Sequence, residues 1–425
     1  MKIAILTTFQ EFNPGYSLTG IVEDQVTMLS RHGHDVHLFV SEKFTDKGDS
    51  PRLHQATIHK KVPFSHLVDY EDADDLSDEH FQVAERFCNL IANEIVDFDF
   101  IYTHDMIFTG WNLPYARGIY EVARRKEVRH IRWLHWIHSI PSLCRNWWNI
   151  KMYGPAHRIV YPNKSNQINA ASQFHGDMEH VKIIPHIKDL RSWFDFHPDT
   201  WAFFDEFPTV MQSEITQVYP AGSDRLAHKR VDVLIKMFAY LKKKGKSVSL
   251  IIANQWATGR QPKENIDRMM KLAVRNGLRR NEDIIFTSDW EKRFENGIPK
   301  RILREIMLCC NLFIYPTREE SFGLVGPESA LSGAKLMVLN KSLAMQMEVH
   351  GMTGLYCDFG SFEQEFDHPD LNAYYSDLAS LIIAKMNEDD AIQAATHHRL
   401  KHNMDYLYYN YYEPLMQEGK IWAVS

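Results

Sequence analysis

At 425 residues, 44% apolar and 12% aromatic, the chain exceeds what a single hydrophobic core organises, which predicts two globular domains. A formal charge of −7 and a pI near 6.3 fit an ordinary soluble protein whose charge can still be locally uneven. Five cysteines with no Cys-x-x-Cys pair exclude a disulfide framework and a zinc knuckle and fit a reducing cytoplasm, with adjacent Cys309 and Cys310 read as small buried apolar residues.

The opening "MKIAILTTF" reads as a strand, with no basic leader and no apolar signal region, and no later run reaches the roughly 18 apolar residues of a membrane span. A cytoplasmic protein is the expectation, peripheral to a membrane at most. A loop over residues 8–20, with Pro14, Gly15 and Gly20, leads into a helix on which Ile21 or Val22, Val26 and Leu29 fall at helical spacing. Gly33 stops that helix and "DVHLFV" starts a second strand, completing a βαβ unit. "FDFIYTHD" and "HIRWLHWIHS" continue the alternation as strands ending in polar residues. Ligands of parallel α/β sheets sit at strand carboxyl ends, so His104, Asp105, His138 and the 8–20 loop are site candidates.

The irregular, aromatic passage "VKIIPHIKDLRSWFDFHPDTWAFFDEFP" reads as the connection to a second α/β series. There "VDVLIKMFAYLKKKGK" is a strongly amphipathic helix capped by Gly245, and "VSLIIAN", "DIIFTS", "LFIYPT" and "KLMVLN" are short strands. The tail "HNMDYLYYNYYEPLMQEGKIWAVS" reads as an aromatic terminal helix. The expected fold class is α/β, built from two facing Rossmann-like, doubly wound domains. Residues 1–195 and 196–400 form these domains, and 401–425 a C-terminal helix packing across them and returning to the first.

In "PTREESFGLVGPESALSGAKLMVLN" two glutamates flank an uncharged, glycine-containing segment. Pro327 suits the first position of a helix starting near Gly326, which places Glu328 in the first turn and Glu320 in the preceding loop. A first-turn carboxylate can accept hydrogen bonds from the vicinal hydroxyls of a ribose, while peptide N–H groups around Phe322 to Val325 can face an anion or sugar oxygens. That chemistry suits a nucleotide sugar.

The stretch resembles the GT-B glycosyltransferases, specifically family 4 of the retaining enzymes, whose paired glutamates around a Phe-Gly step are matched by Glu320, Phe322, Gly323 and Glu328. Ser321 stands where the family commonly has Gly. The resemblance implies that Glu328 holds the ribose hydroxyls, that Glu320 contacts the transferred sugar near its reacting carbon, and that the backbone from Phe322 to Leu324 supports sugar and phosphate. Upstream, "YPAGSDRLAHKRVDVLIKMF" resembles the family's cationic pair before a helix. Arg225 and Lys229 match it, and because their spacing is one residue short of the common pattern, Arg230 is a second choice for the lysine's role.

Cleaving a sugar–diphosphate bond leaves added negative charge on the leaving group, which fixed cations can stabilise without a metal. No metal and no cofactor are therefore expected, only a nucleoside diphosphate sugar as donor, UDP-sugar favoured. "ANQWATG" replaces the family's glycine-rich nucleotide loop and leaves the base undefined. Gly20 and His138 match the looser N-terminal pattern, His138 being preferred to His135 as the histidine near the sugar. His104, Asp105, His135, Arg132 and Trp136 are acceptor-side candidates. "DFDF" mimics a metal-binding Asp-x-Asp but precedes a strand, where an aspartate serves a turn.

Residues 115–165 carry ten Lys and Arg against two Glu, interleaved with Trp133, Trp136, Trp147 and Trp148. Such a face suits nucleic acid or anionic headgroups, or else is a buried strand beside a solvated helix. The resulting expectation is a retaining, metal-independent glycosyltransferase with a glycan or cell-envelope acceptor hydroxyl. The alternatives are a viral-type enzyme glycosylating hydroxymethylated DNA bases and a sugar-nucleotide-binding protein without catalysis.

Overall fold

The computed structural model describes residues 1–13, 15–45, 50–65, 70–107, 112–139 and 148–422. The chain divides into two compact units, Met1–Asp189 together with His402–Ser425, and Leu190–Lys401.

The first unit is built on seven parallel strands: β1 (Lys2–Leu6), β2 (Asp35–Ser41), β3 (Thr57–Val62), β4 (Phe100–His104), β5 (Arg132–Trp136), β6 (His157–Tyr161) and β7 (Val181–Ile183). The central strands β1 and β4 are buried along nearly their whole length rather than alternately, because helices cover both faces of a parallel sheet, whereas edge strand β3 is largely exposed. The spatial order β3-β2-β1-β4-β5-β6-β7 is doubly wound, with the reversal of direction between β1 and β4, where Ile3 registers with both Val36 and Phe100. Helix Ser17–Arg31 buries Val22, Val26 and Leu29, and ends as expected before Gly33, whose φ of +77° a side chain would disfavour. It starts at Ser17, so Gly20 lies in its first turn rather than in the loop before it.

The C-terminal segment belongs to this unit. Its Leu407, Tyr408, Tyr412, Leu415 and Met416 share a core with Ile3, Ile5, Val26, Tyr102 and Trp136. The approach is close: a Cβ on Gly419 would lie 2.9 Å from the Phe100 ring.

The second unit has β8 (Ile215–Gly222), β9 (Val248–Gln255), β10 (Ile284–Phe286), β11 (Leu312–Tyr315), β12 (Leu336–Asn340) and β13 (Leu355–Cys357), in two parallel ladders ordered β10-β9-β8 and β11-β12-β13. Side chains join the ladders. Buried Gln217 on β8 donates to the Ile314 carbonyl and accepts from the Ile314 N–H, both at 2.9 Å, and Asn311 Oδ1 accepts from Thr216 N–H at 3.0 Å. The ladders therefore meet as β10-β9-β8-β11-β12-β13, again doubly wound, with the reversal between β8 and β11.

The passage read as an irregular connection is more ordered than expected. It contains β7, whose three residues are too few to show a period, and the helices Leu190–Phe194 and Pro198–Glu206, the latter capped by the His197 side chain. Among the described residues, no helix is long and apolar enough to cross a membrane. The four described cysteines are free and buried, Cys309 and Cys310 among them.

Candidate functional site

In the second unit, the reversal between β8 and β11 is a topological switch point, at whose strand carboxyl ends doubly wound sheets place a ligand crevice. Two connections line it. After β8, the chain turns through residues 223–230 into the helix Val231–Lys243; Lys229 N–H donates to the Arg225 carbonyl at 2.9 Å, which sets the two cations one turn apart. After β11, residues 316–324 lead into the short helix Val325–Ala330.

The two connections meet through an ion pair between Lys229 and Glu320, whose side chains are 21% and 17% exposed. The pair stands over two buried tyrosines: the Tyr219 hydroxyl donates to the Lys229 carbonyl at 3.0 Å, and burial followed by the Glu320 carboxylate raises the pKa of both Tyr219 and Tyr315. Gly323 has φ +71°, and a Cβ there would lie 2.4 Å from the Tyr315 hydroxyl, so only glycine fits. Gly326 is equally confined, 2.5 Å from His350 Nε2 by the same measure.

These contacts begin the helix at Val325 and leave Pro327 as its third residue, a correction to the expected start. Glu328 still lies in the first turn, paired with Lys300. Among the described residues, the N–H groups of Phe322, Gly323 and Leu324 have no backbone acceptor. Ser321, Phe322 and Leu324 are exposed.

Arg225 is exposed and without a carboxylate partner among the described residues. Arg230 differs from expectation: its backbone is left-handed at φ +57°, and its guanidinium is committed to the Phe359 carbonyl at 2.6 Å and to Asp232 at 3.5 Å. It occupies the N-cap position of its helix, with its side chain turned to Phe359 and Asp232, while Lys229 reaches Glu320.

In the first unit, the carboxyl ends of β4 and β5 bring His104, Asp105 and His138 together. Asp105 Oδ1 accepts the His138 N–H at 2.9 Å, and His104 Nδ1 lies 2.9 Å from His138 Nε2. Sequence reasoning missed Gln25, whose Oε1 is 2.9 Å from His104 Nε2, and His186, whose ring stacks on His138 with centroids 5.0 Å apart. The one available signal for Gln25 was a polar residue on the apolar face of its helix.

Burial lowers the pKa of His104, His138 and His186, that of His104 to about 3, and keeps all three neutral at pH 7. With Gln25 accepting from His104 Nε2–H, His104 Nδ1 is an acceptor, His138 Nε2 carries the proton, and His138 Nδ1 is a bare lone pair. That nitrogen has no partner among the described residues. A buried unpaired lone pair costs less than a buried unpaired N–H, which agrees with this tautomer.

The other acceptor-side candidates are not brought to these strand ends. Arg132 lies at the opposite end of β5 and donates to the carbonyls of Gly419 and Lys420, fastening the C-terminal segment. His135 is fully buried between Thr103 and His157, and Trp136 is buried against Tyr412. Asp99 of "DFDF" accepts the Lys2 N–H at the amino end of the sheet.

Residues 115–165 include 140–147, with Trp147, outside the described residues. In the remainder Trp133 is buried, Arg117 and Arg124 lie over Tyr120, and Arg158 lies over Trp422. These contacts fit a buried strand and a solvated helix better than a stacking face.

No protein-family model and no curated protein matches the chain. Solved structures do align with it. A glycosyltransferase from Rickettsia africae ESF-5 has 13% identity over 99% of each chain, with a TM-score of 0.36. Anabaena Alr3699/HepE in complex with UDP and glucose has 16% identity over 98% of this chain and 100% of that one, with a TM-score of 0.33. Sucrose-phosphate synthase from Thermosynechococcus elongatus has 16% identity over 98% of each chain, with a TM-score of 0.34. Likeness of this degree carries no argument about activity or ligand.

Proposed function

We propose that the chain is a retaining, metal-independent glycosyltransferase of the GT-B class that takes its sugar from a nucleoside diphosphate sugar, UDP-sugar first among the candidates. The observation that carries this reading is the Lys229–Glu320 pair at the mouth of the β8/β11 crevice, with exposed Arg225 one turn away and Glu328 in the next helix. Arg225 and Lys229 are the cations that stabilise the departing diphosphate, where fixed charges in a preorganised site act most strongly on charge that develops during reaction. A bound diphosphate competes with Glu320 for Lys229, releasing the carboxylate toward the sugar. Glu328, exchanging Lys300 for hydroxyls, holds the ribose, and the N–H groups from Phe322 to Leu324 face the sugar and phosphate. His138 accepts a hydrogen bond from a substrate hydroxyl through Nδ1. The acceptor is a hydroxyl of a glycan or cell-envelope molecule. The burial of Trp133 and Trp136 gives the DNA-modifying alternative no support.

A thermal-shift screen of UDP-, GDP-, ADP- and dTDP-sugars, with and without Mg²⁺, tests the donor assignment, because a ligand of the native state raises the melting temperature. The expected outcome is a metal-independent rise with one donor. No rise with any donor refutes the site. In a product assay with that donor, Glu320→Ala should lower turnover at least a hundredfold. Turnover equal to wild type removes Glu320 from the mechanism, and no turnover by either protein favours a sugar-nucleotide-binding protein.

A further inference from the structure

Trp256 stands immediately after β9, at the same carboxyl edge of the sheet as the crevice, in the segment that replaces a glycine-rich loop. It is 58% exposed, and its backbone has φ +52°, a left-handed conformation that bulky residues rarely adopt. Its neighbours are pinned. Ser223 donates to the Gln255 carbonyl through N–H and Oγ at 2.9 and 2.7 Å, and Ala257 N–H donates to the Glu295 carbonyl at 2.8 Å. The indole therefore sits on a rigid turn rather than a loose one. Strain of this kind is kept where the side chain has work that its own fold does not supply.

The edge of the ring lies against Gly222, where a Cβ would meet Cε3 and Cζ3 at 3.4 and 3.5 Å. Gly222 is also where the cationic turn begins, its carbonyl accepting from Arg225 N–H at 2.9 Å. On the other side, Gly297 packs on Gln255, and Lys300, three residues on, reaches Glu328. The exposed indole is thus linked by packing to the cationic turn through Gly222, and through Gln255 and Gly297 to the segment that carries Lys300, the partner of Glu328.

We infer that Trp256 is the stacking platform for the nucleobase of the donor. This rests on the nucleotide-sugar reading above and adds to it the group that binds the base. A flat π surface accepts any base, so it supplies affinity without a hydrogen-bond code.

The test is calorimetric titration of the full-length protein with the nucleoside diphosphate of whichever donor raises its melting temperature, and with inorganic pyrophosphate. Trp256→Ala should weaken the nucleoside diphosphate about tenfold and leave pyrophosphate unchanged, while Trp256→Phe keeps affinity within about threefold of wild type. Trp256→Gly, which relieves the left-handed backbone, secures the comparison if the alanine variant folds poorly, and should lose affinity equally. Wild-type affinity in the alanine or glycine variant overturns the inference and leaves the nucleotide-sugar reading intact. Equal weakening of pyrophosphate overturns it too, by assigning the loss to the turn. A wild-type protein that binds no nucleoside diphosphate defeats the underlying reading itself.

Discussion

Asp105 combines three constraints in one residue: a left-handed backbone at φ +55°, a buried carboxylate, and a hydrogen bond that holds the His138 backbone. Burial is the larger effect and moves its pKa from the ordinary 3.8 up to about 6, against the lowering by the His138 N–H. The folded state thus binds a proton more tightly than the unfolded chain. Protonated at low pH, the carboxyl costs nothing extra; as pH rises from about 4 through about 6, ionisation in a buried place costs stability, up to roughly 3 kcal/mol. Asp105→Asn keeps the acceptor for His138 and has no charge to bury. Urea unfolding should find this variant more stable than wild type by about 1–3 kcal/mol at pH 7.5 and equal to it near pH 4. A difference independent of pH would separate Asp105 from that cost.

Among the elements, β8 and β11 are unusual neighbours, since a glutamine side chain takes the place of ladder hydrogen bonds where the sheet reverses. This keeps the two strands in one sheet at the reversal, the switch point beside which doubly wound sheets bind their ligands. Gln217→Leu fills the same space but leaves the Ile314 N–H and carbonyl without partners. Each buried orphan costs about 1–3 kcal/mol, so the variant should lose about 2–4 kcal/mol in denaturant unfolding. A loss below about 1 kcal/mol would mean that water or backbone movement re-pairs Ile314.

For the molecule as a whole, the two units have separate cores, and the first draws part of its own from the far end of the chain. Leu407, Tyr408, Tyr412, Leu415 and Met416 lie against β1, β4 and β5 residues, and Arg132 holds two carbonyls of the same segment. A chain ending at Lys401 should therefore expose that core face. Hydrogen exchange should show the amides of β1 and β4 losing protection while those of β8 and β9 keep theirs. Retained protection throughout the first unit would show that the C-terminal segment contributes little to its stability.

Local pattern determined a good deal. Period and turn chemistry in the sequence placed β1, β2, the helices Ser17–Arg31 and Val231–Lys243, and the strands around the crevice, because apolar runs and glycine stops act within a few residues of themselves. The candidates Glu320, Phe322, Gly323, Glu328, Arg225 and Lys229 came from two compact motifs and the family resemblance those motifs carry. What only tertiary structure decided is which distant residues share a place. The partners of Glu320 and Glu328 in ion pairs, the commitment of Arg230 to Phe359, the removal of Arg132 to the far end of β5, and the chain from Gln25 through His104 to His138 depend on strand order and helix register. Contacts between residues far apart in sequence leave no local period, so Trp256 becomes conspicuous only once β9 sets it against Gly222.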